Sequence, residues 1–259
     1  MKKPHFLCSI VVVASLALSS AAQAAHIDVS GLIHLWNGNG NADDSIGSAD
    51  GSLGVSTQFS PGVNGQAFDF DGSQDSNITL PVDISPSSLP QMTMGMYINV
   101  RSILNDRGWV IGHDNGGYDR SLIISDTRFG QGLAAGVGST YTSSLFDLGD
   151  NLDKWFGIAV SYDQLASTAT VYINDLEGNS FTQTVNTTLG NGQPNASVGG
   201  LNAFAGHGVD ALVDDVFIYN RALSQSELDI VFTPVPSVLA LFGLAFAALI
   251  RLRSVNAVS

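Results

Sequence analysis

The segment Met92-Thr-Met-Gly-Met-Tyr-Ile-Asn-Val100 places apolar side chains at every second position, with Met92, Met94, Met96, Ile98 and Val100 in one register. A period of two sends successive side chains to opposite faces, so the segment reads as a half-buried β-strand. The same signal returns on both sides of it, at Ala67 to Phe70, Trp109 to Ile111, Leu122 to Ser125, Phe156 to Tyr162, Thr168 to Ile173 and Leu212 to Tyr219. Gly, Asn and Asp, the residues of tight turns, punctuate these runs. Strong formers of exposed helix are scarce: Glu177 and Glu227 are the only glutamates, and Lys154 is the only lysine between residues 4 and 250. The fold class that follows is all-β, a sandwich of short strands.

One helix is signalled locally. Ser224-Gln-Ser-Glu227 is a capping box, in which the serine hydroxyl takes a backbone N–H and the glutamate reaches back to the cap. A short helix over 225–231 is expected, with Leu228 and Val231 against the core and Glu227 as a capping residue rather than an acid catalyst. No Pro- or Ser-rich linker, fixed-period repeat or change of composition interrupts residues 26–232, so one domain is expected over 25–232.

The 259 residues carry 10 Lys plus Arg against 23 Asp plus Glu, a formal charge of −13. Lys2, Lys3, Arg251 and Arg253 sit at the ends, so the interior holds six basic residues against 23 acidic ones, a formal −17. Nucleic-acid binding depends on Lys and Arg neutralising phosphates, and nucleic acid is excluded as a partner. The single cysteine, Cys8, lies in a targeting segment, which excludes a disulfide scaffold and a cysteine-ligated zinc site.

Both ends read as addresses. Lys2 and Lys3, an apolar run from Phe6 to Leu18 and the small-residue close Ala22-Gln-Ala24 have the layout of a cleavable signal peptide over 1–24, a short signal helix. At the other end Pro234-Val-Pro236 precedes an uncharged apolar stretch, Ser237 to Ile250, and then Arg251-Leu-Arg253. This reads as a short apolar membrane helix within 233–259, and the positive-inside rule puts Arg251 and Arg253 in the cytoplasm. The tail resembles the PEP-CTERM sorting signal of Gram-negative bacteria, with Pro234 and Pro236 matching its Pro-Glu-Pro box and Val235 replacing the glutamate. That resemblance implies an exosortase-type processing enzyme as partner, transient anchoring in the inner membrane, and delivery to the cell surface or extracellular matrix.

Three ordered motifs resemble the LamG-like, concanavalin A-like lectin/glucanase family. Leu32-Ile-His-Leu-Trp36 followed by Asn39-Gly-Asn-Ala-Asp-Asp-Ser-Ile-Gly47 is similar to its opening strand and turn. Phe59-Ser-Pro-Gly-Val-Asn-Gly-Gln-Ala-Phe-Asp-Phe-Asp-Gly72 matches its F-x-P-G-x-x-G-Q-A-x-x-F-D-G signature. Val213-Asp-Asp-Val-Phe-Ile-Tyr-Asn-Arg-Ala-Leu-Ser224 matches its closing strand. The resemblance implies a concanavalin A-like jelly roll. It also implies a structural calcium where the closing strand packs near the opening turn, with Asp44 and Asp214 as foremost ligands and Asp43, Asp50 and Asp215 behind them; the alternative is that all five serve turn capping and solubility. Strand alternation sends Asp214 and Asp215 to opposite faces, so both are not expected on one ion.

The catalytic patterns are missing. The glucanases of this fold carry E-x-D-x-E, whereas here the two glutamates are 50 positions apart, at 177 and 227. The mature chain has no H-E-x-x-H or H-x-H spacing and no G-x-S-x-G elbow. Binding is the better-supported class. In Trp109-Val-Ile-Gly-His-Asp-Asn-Gly-Gly-Tyr-Asp-Arg120, Asp114, Asn115, Tyr118 and Arg120 are candidate glycan contacts, since aromatic rings stack on sugars and polar groups bond their hydroxyls. The alternative there is a core Trp109 followed by a plain hairpin turn. The expected function is non-enzymatic binding of extracellular polysaccharide; the rivals are a glycan hydrolase and a purely structural matrix protein.

Overall fold

The computed structural model describes residues 30–233, except 104–106, 117–118, 126–131, 138–139, 143–145 and 202–205. The leader and the tail from Pro234 onward, with Pro236, Arg251 and Arg253, lie outside the described residues. The first strands are β1 (Leu32–Trp36), β2 (Ser52–Leu53), β3 (Gln58–Pro61), β4 (Gln66–Asp71), β5 (Ile78–Leu80), β6 (Gln91–Ser102), β7 (Arg107–Gly112) and β8 (Ser121–Ser125). They are followed by β9 (Gly132–Val137), β10 (Thr140–Tyr141), β11 (Trp155–Asp163), β12 (Thr168–Asn174), β13 (Ser180–Asn186), β14 (Ala196–Val198), β15 (Asp210–Tyr219) and, besides a 3-10 turn at Gly149–Asn151, one α-helix among the described residues, α1 (Gln225–Val231). One sheet runs β13-β12-β11-β6-β15-β4-β3 with β1 also on β15, and the other runs β10-β9-β8-β7-β14-β5-β2.

The expected strands form, and their apolar faces meet between the sheets. Met92, Met94, Met96, Ile98 and Val100 pack in one cluster with Val110, Ile111, Leu122 and Ile124 from the facing sheet. The half-buried reading of β6 is corrected, because Thr93 and Tyr97 on its other face are also buried. A second apolar layer explains this: Leu228, Val231 and Phe232, from α1 and its end, cover Tyr97, Tyr172, Phe217 and Tyr219. Phe232 stacks on Tyr172 at 5.7 Å and meets the Tyr97 ring edge-on at 5.3 Å. Gly157 on β11 lies under that ring, where a Cβ would collide with it. Each such apolar side chain contributes about 1.5–3 kcal/mol on burial.

The helix begins as its capping box requires, with Ser224 Oγ accepting from Glu227 N and Glu227 Oε2 accepting from Ser224 N. Glu227 also pairs with Arg221 at 2.6 Å, and these contacts hold its carboxyl well down, at about 2. It is a capping residue.

β15 is the strand that sets up one of the sites below. Its first half, Asp210 to Val213, pairs with β4, and its second half, Val216 to Tyr219, pairs with β1 on the same edge. Asp214 and Asp215 occupy the seam between those two neighbours. Against β6 the register slips there: Asp214 faces Tyr97 while Phe217 faces Gly95, so one extra residue is accommodated in a β-bulge. Asp215 takes the left-handed backbone, with φ 47°.

Candidate functional site

The opening turn is organised by Asp44. Its Oδ1 accepts from the N–H groups of Leu35 at 3.1 Å, Ile46 at 3.2 Å and Gly47 at 2.9 Å. Its Oδ2 accepts from Ala49 N at 3.0 Å and lies 2.6 Å from His34 Nδ1. Burial pushes this carboxyl up, but the His34 and backbone hydrogen bonds prevail and bring it down to about 2. A carboxylate has about four lone-pair sites, and five donors saturate them. This corrects the expectation that Asp44 shares an ion with Asp214. Asp50 belongs to the same turn through Asp44 N at 2.9 Å, and Asp43 is exposed and bonded to Asn41 Nδ2 at 2.8 Å.

The seam on β15 is the opposite kind of acidic site. Asp214 is fully buried and Asp215 almost so. The bulge overturns the expectation of opposite faces, because both side chains reach Asn64 in the β3–β4 turn. Asn64 N donates to Asp214 Oδ2 at 2.8 Å, and Asn64 Nδ2 donates to Asp215 Oδ2 at 2.6 Å. Gly62 leaves the space they need, since a Cβ there would sit 2.5 Å from Asp214 Oδ2. Burial, and for Asp214 also the neighbouring charge of Asp215, pushes both carboxyls well above the usual carboxylate range. Asp214 Oδ1 is buried with no hydrogen-bond partner. Two close, buried carboxylates with an oxygen to spare fit a hard cation such as calcium. Among the described residues no group of three or more His, Cys, Asp or Glu could hold a metal, so backbone carbonyls and water would supply the remaining ligands.

The acids Asp69 and Asp71 are engaged within the fold. Asp69 pairs with Arg101 at 2.7 Å, Arg101 also holds Asp210 at 2.6 Å, and Asp71 caps its own turn through Ser73 N at 2.9 Å.

The predicted glycan loop lies at one end of the sandwich, where the segments 82–90, 113–120 and 187–195 meet. Arg120 is fully buried, which corrects its assignment as a surface sugar contact. Its Nη1 donates to the carbonyls of Ile84 at 2.8 Å and Leu89 at 2.6 Å, and its guanidinium lies 5.3 Å from the centre of the Tyr162 ring. The reason was present in the sequence: residue 120 has the parity of Leu122 and Ile124, whose side chains fill the core. His113 is also buried, with Nδ1 2.9 Å from the Gln193 carbonyl. That burial lowers its basicity.

Above these buried residues the three segments are stitched together. Asn115 Nδ2 donates to Asn191 O at 3.0 Å, and Ser87 N donates to Asn191 Oδ1 at 3.1 Å. Asp114 turns inward to cap Gly116 N at 2.6 Å and is 5% exposed, so it shapes the loop rather than facing solvent. Tyr118 lies outside the described residues. The exposed polar side chains on these segments include Ser87, Ser88, Asn115, Thr188, Asn191, Gln193 and Asn195, all uncharged hydrogen-bonding groups, while the half-buried Asp83 is held by Ser85 N and Ser88 Oγ. Asn191 and Ser87 were missed in the sequence, although Gly190-Asn-Gly-Gln-Pro-Asn195 carries a strong turn signal.

Residues 71–229 match the family model Laminin_G_3, concanavalin A-like lectin/glucanases superfamily. The chain belongs to this superfamily. As a concanavalin A-like domain it superposes on domain 4 of AbnA, a GH43 extracellular arabinanase from Geobacillus stearothermophilus solved with arabinotriose, at TM-score 0.59 and 19% identity, over 77% of this chain and 97% of that one. It is similar as well to the botulinum neurotoxin serotype D ligand binding domain solved with N-acetylneuraminic acid, at TM-score 0.60 and 16% identity, over 81% of this chain and 52% of that one. The type G receptor binding domain gives TM-score 0.59 and 18% identity over 78% and 51% of the two chains. The concanavalin A-like domain thus spans about half the length of the toxin domains and nearly all of the arabinanase domain. At these identities the likeness is one of fold. No curated protein sequence matches the chain.

Proposed function

We propose that this concanavalin A-like domain is an exported, non-enzymatic module that binds uncharged polysaccharide at the three-loop end of the sandwich. The observation that carries the reading is the set Ser87, Asn115, Asn191 and Gln193: exposed, neutral, and mounted on segments cross-linked by hydrogen bonds above buried Arg120 and His113. Sugar hydroxyls both donate and accept, and amides and hydroxyls answer both needs. Preorganised loops lose little freedom on binding. An interior formal charge of −17 disfavours polyanionic glycans and leaves neutral ones. Domains of the same fold have been solved with arabinotriose and with N-acetylneuraminic acid, which supports a sugar as ligand. The test is a glycan screen followed by Asn115→Ala with Asn191→Ala. The expected result is retention on neutral glycans without release of reducing sugar, weakened at least tenfold by the double variant. Release of reducing sugar would transfer the protein to the hydrolases, and absence of any retention would leave a structural role.

The same proposal includes the address at the two ends. The leader exports the chain, and an exosortase-type enzyme removes the tail beyond about Pro236, freeing the domain from the inner membrane to the surface or matrix. Mass spectrometry of exported material is expected to lack Arg251 and Arg253; their retention would refute the sorting step. Calcium is proposed at Asp214 and Asp215, where its two charges would offset the repulsion between them. Chelation is then expected to lower the melting temperature, and an unchanged melting curve would remove the ion from the account.

A further inference from the structure

An exposed strand at the end of a sheet is an open template, and proteins blunt such edges with short strands, proline or charge. Three of the four strands that end the two sheet orders obey that rule: β2 and β10 have two residues each, and β3 has four and ends in Pro61. β13 does not. It has seven residues, Ser180-Phe-Thr-Gln-Thr-Val-Asn186, with no proline and no charge, in a domain otherwise crowded with aspartate. Phe181 on this edge is 42% exposed.

The ladder to β12 fixes which main-chain groups are free. Pairing runs without a slip from Thr168↔Asn186 to Asn174↔Ser180. At its ends Thr187 N donates to Ser167 O at 2.7 Å and Asp175 N donates to Asn179 O at 3.1 Å. Odd-numbered residues of β13 therefore form the hydrogen-bonded pairs with β12, and by alternation the N–H and C=O groups of Ser180, Thr182, Thr184 and Asn186 point away from the sheet.

We infer that β13 pairs antiparallel with β13 of a second copy of this chain, about a two-fold axis at Gln183, joining the two larger sheets into one. In that register Ser180 meets Asn186 of the second copy and Thr182 meets its Thr184, so every outward main-chain group finds a complement. Phe181 meets Val185 of the second copy. Val185 packs against the core and Phe181 contacts Phe146, so the apolar row continues across the axis on the inner face. Thr182 and Thr184 face each other on the outer side, where hydroxyl pairing already occurs between Thr170 and Thr184 at 2.8 Å. The register brings no charge of β13 against another. Asp175 and Glu177, at the hairpin tip, come beside the uncharged Thr187 and Thr188 of the second copy. The self-complementary register is what selects a second copy over an unrelated peptide.

Cross-linking tests this on the full chain in cells that export it, in a Cys8→Ser background without other cysteines. In a non-hydrogen-bonded pair the Cα atoms are about 4.5 Å apart, within disulfide reach. Gln183→Cys is therefore expected to give a disulfide dimer under mild oxidant, at least tenfold more than Thr182→Cys, whose mate is Thr184, or the exposed Leu165→Cys. Adding both Thr182→Lys and Thr184→Lys to Gln183→Cys, which sets lysine opposite lysine at the paired positions, is expected to abolish the dimer while the melting temperature stays within a few degrees. Equal cross-linking at the three positions, or a Gln183→Cys dimer that survives the paired lysines at 182 and 184, would overturn the inference. A Gln183→Cys chain that keeps its melting temperature yet never cross-links would do the same.

Discussion

The opening turn and the β15 seam are both aspartate sites, and both bury their carboxylates, yet they are built on opposite principles. At Asp44 five donors converge on one carboxylate and hold it charged. At Asp214 and Asp215 two carboxylates share the donors of Asn64 and repel each other. The first is a fastener, in which the charge stabilises the chain around it. The second receives too few donors to offset its burial and repulsion, and its carboxyls are pushed toward the protonated form. Acidic content alone therefore does not set the state of a carboxylate; the number of N–H donors it receives does.

The comparison is most directly broken at Asp44. Asp44→Ala strips four backbone N–H groups of their acceptor and is expected to cost about 3–5 kcal/mol, as for other buried charges whose network is removed. For a domain of this size that lowers the melting temperature by roughly 6–20 °C. A loss under about 1 kcal/mol would mean that the turn closes without its carboxylate. The pH dependence has a definite sign: the folded-state value is depressed to about 2, so the contribution is complete above the ordinary carboxylate range and is lost as pH falls toward 2. Asp44→Asn is expected to flatten that acid limb in denaturation measured between pH 2 and pH 5.

Gly62→Ala probes the other region by crowding. The new methyl presses on Asp214 Oδ2, and an overpacking cost of about 1–3 kcal/mol is expected in denaturant melts. Silence at this position would show that the seam yields easily.

The smallest and most discriminating effect is at Asp214 itself. Asp214→Asn removes the buried repulsion, so in chelator the variant is expected to be as stable as the parent or about 1 kcal/mol more stable, and its melting no longer to respond to calcium. A loss of 3 kcal/mol in chelator would assign the carboxylate a fastening role like that of Asp44 and erase the contrast.

Much of the fold was legible along the chain. The alternation of Met92 to Val100, the strand runs and the Ser224–Glu227 capping box are local signals, and the structure carries each of them. What alternation missed were β2, β3, β5, β9, β10, β13 and β14: most are only two to four residues long, β9 is largely Gly and Ala, and β13 is an edge strand with little burial. The candidate sites were legible only in part. Asp44 and Asp214 were singled out as calcium ligands; Asp44 meets partners within ten residues of itself, whereas Asp214 depends on Asn64, 150 residues away in sequence. Arg120 was read as a contact because its loop is polar, although its own parity with Leu122 and Ile124 pointed inward.

The sequence by itself determined the layers, the cap and the acidity, because periodicity, capping and charge are properties of neighbouring residues. Only the tertiary structure decided what the acids do. One bulge, where β15 passes from β4 to β1, turned two aspartates that alternation had separated onto the same asparagine. Donors gathered from residues 34 to 49 turned another into the clasp of a turn. Burial and hydrogen-bond supply set the behaviour of a carboxylate, and both are fixed by which distant segments the fold brings to it.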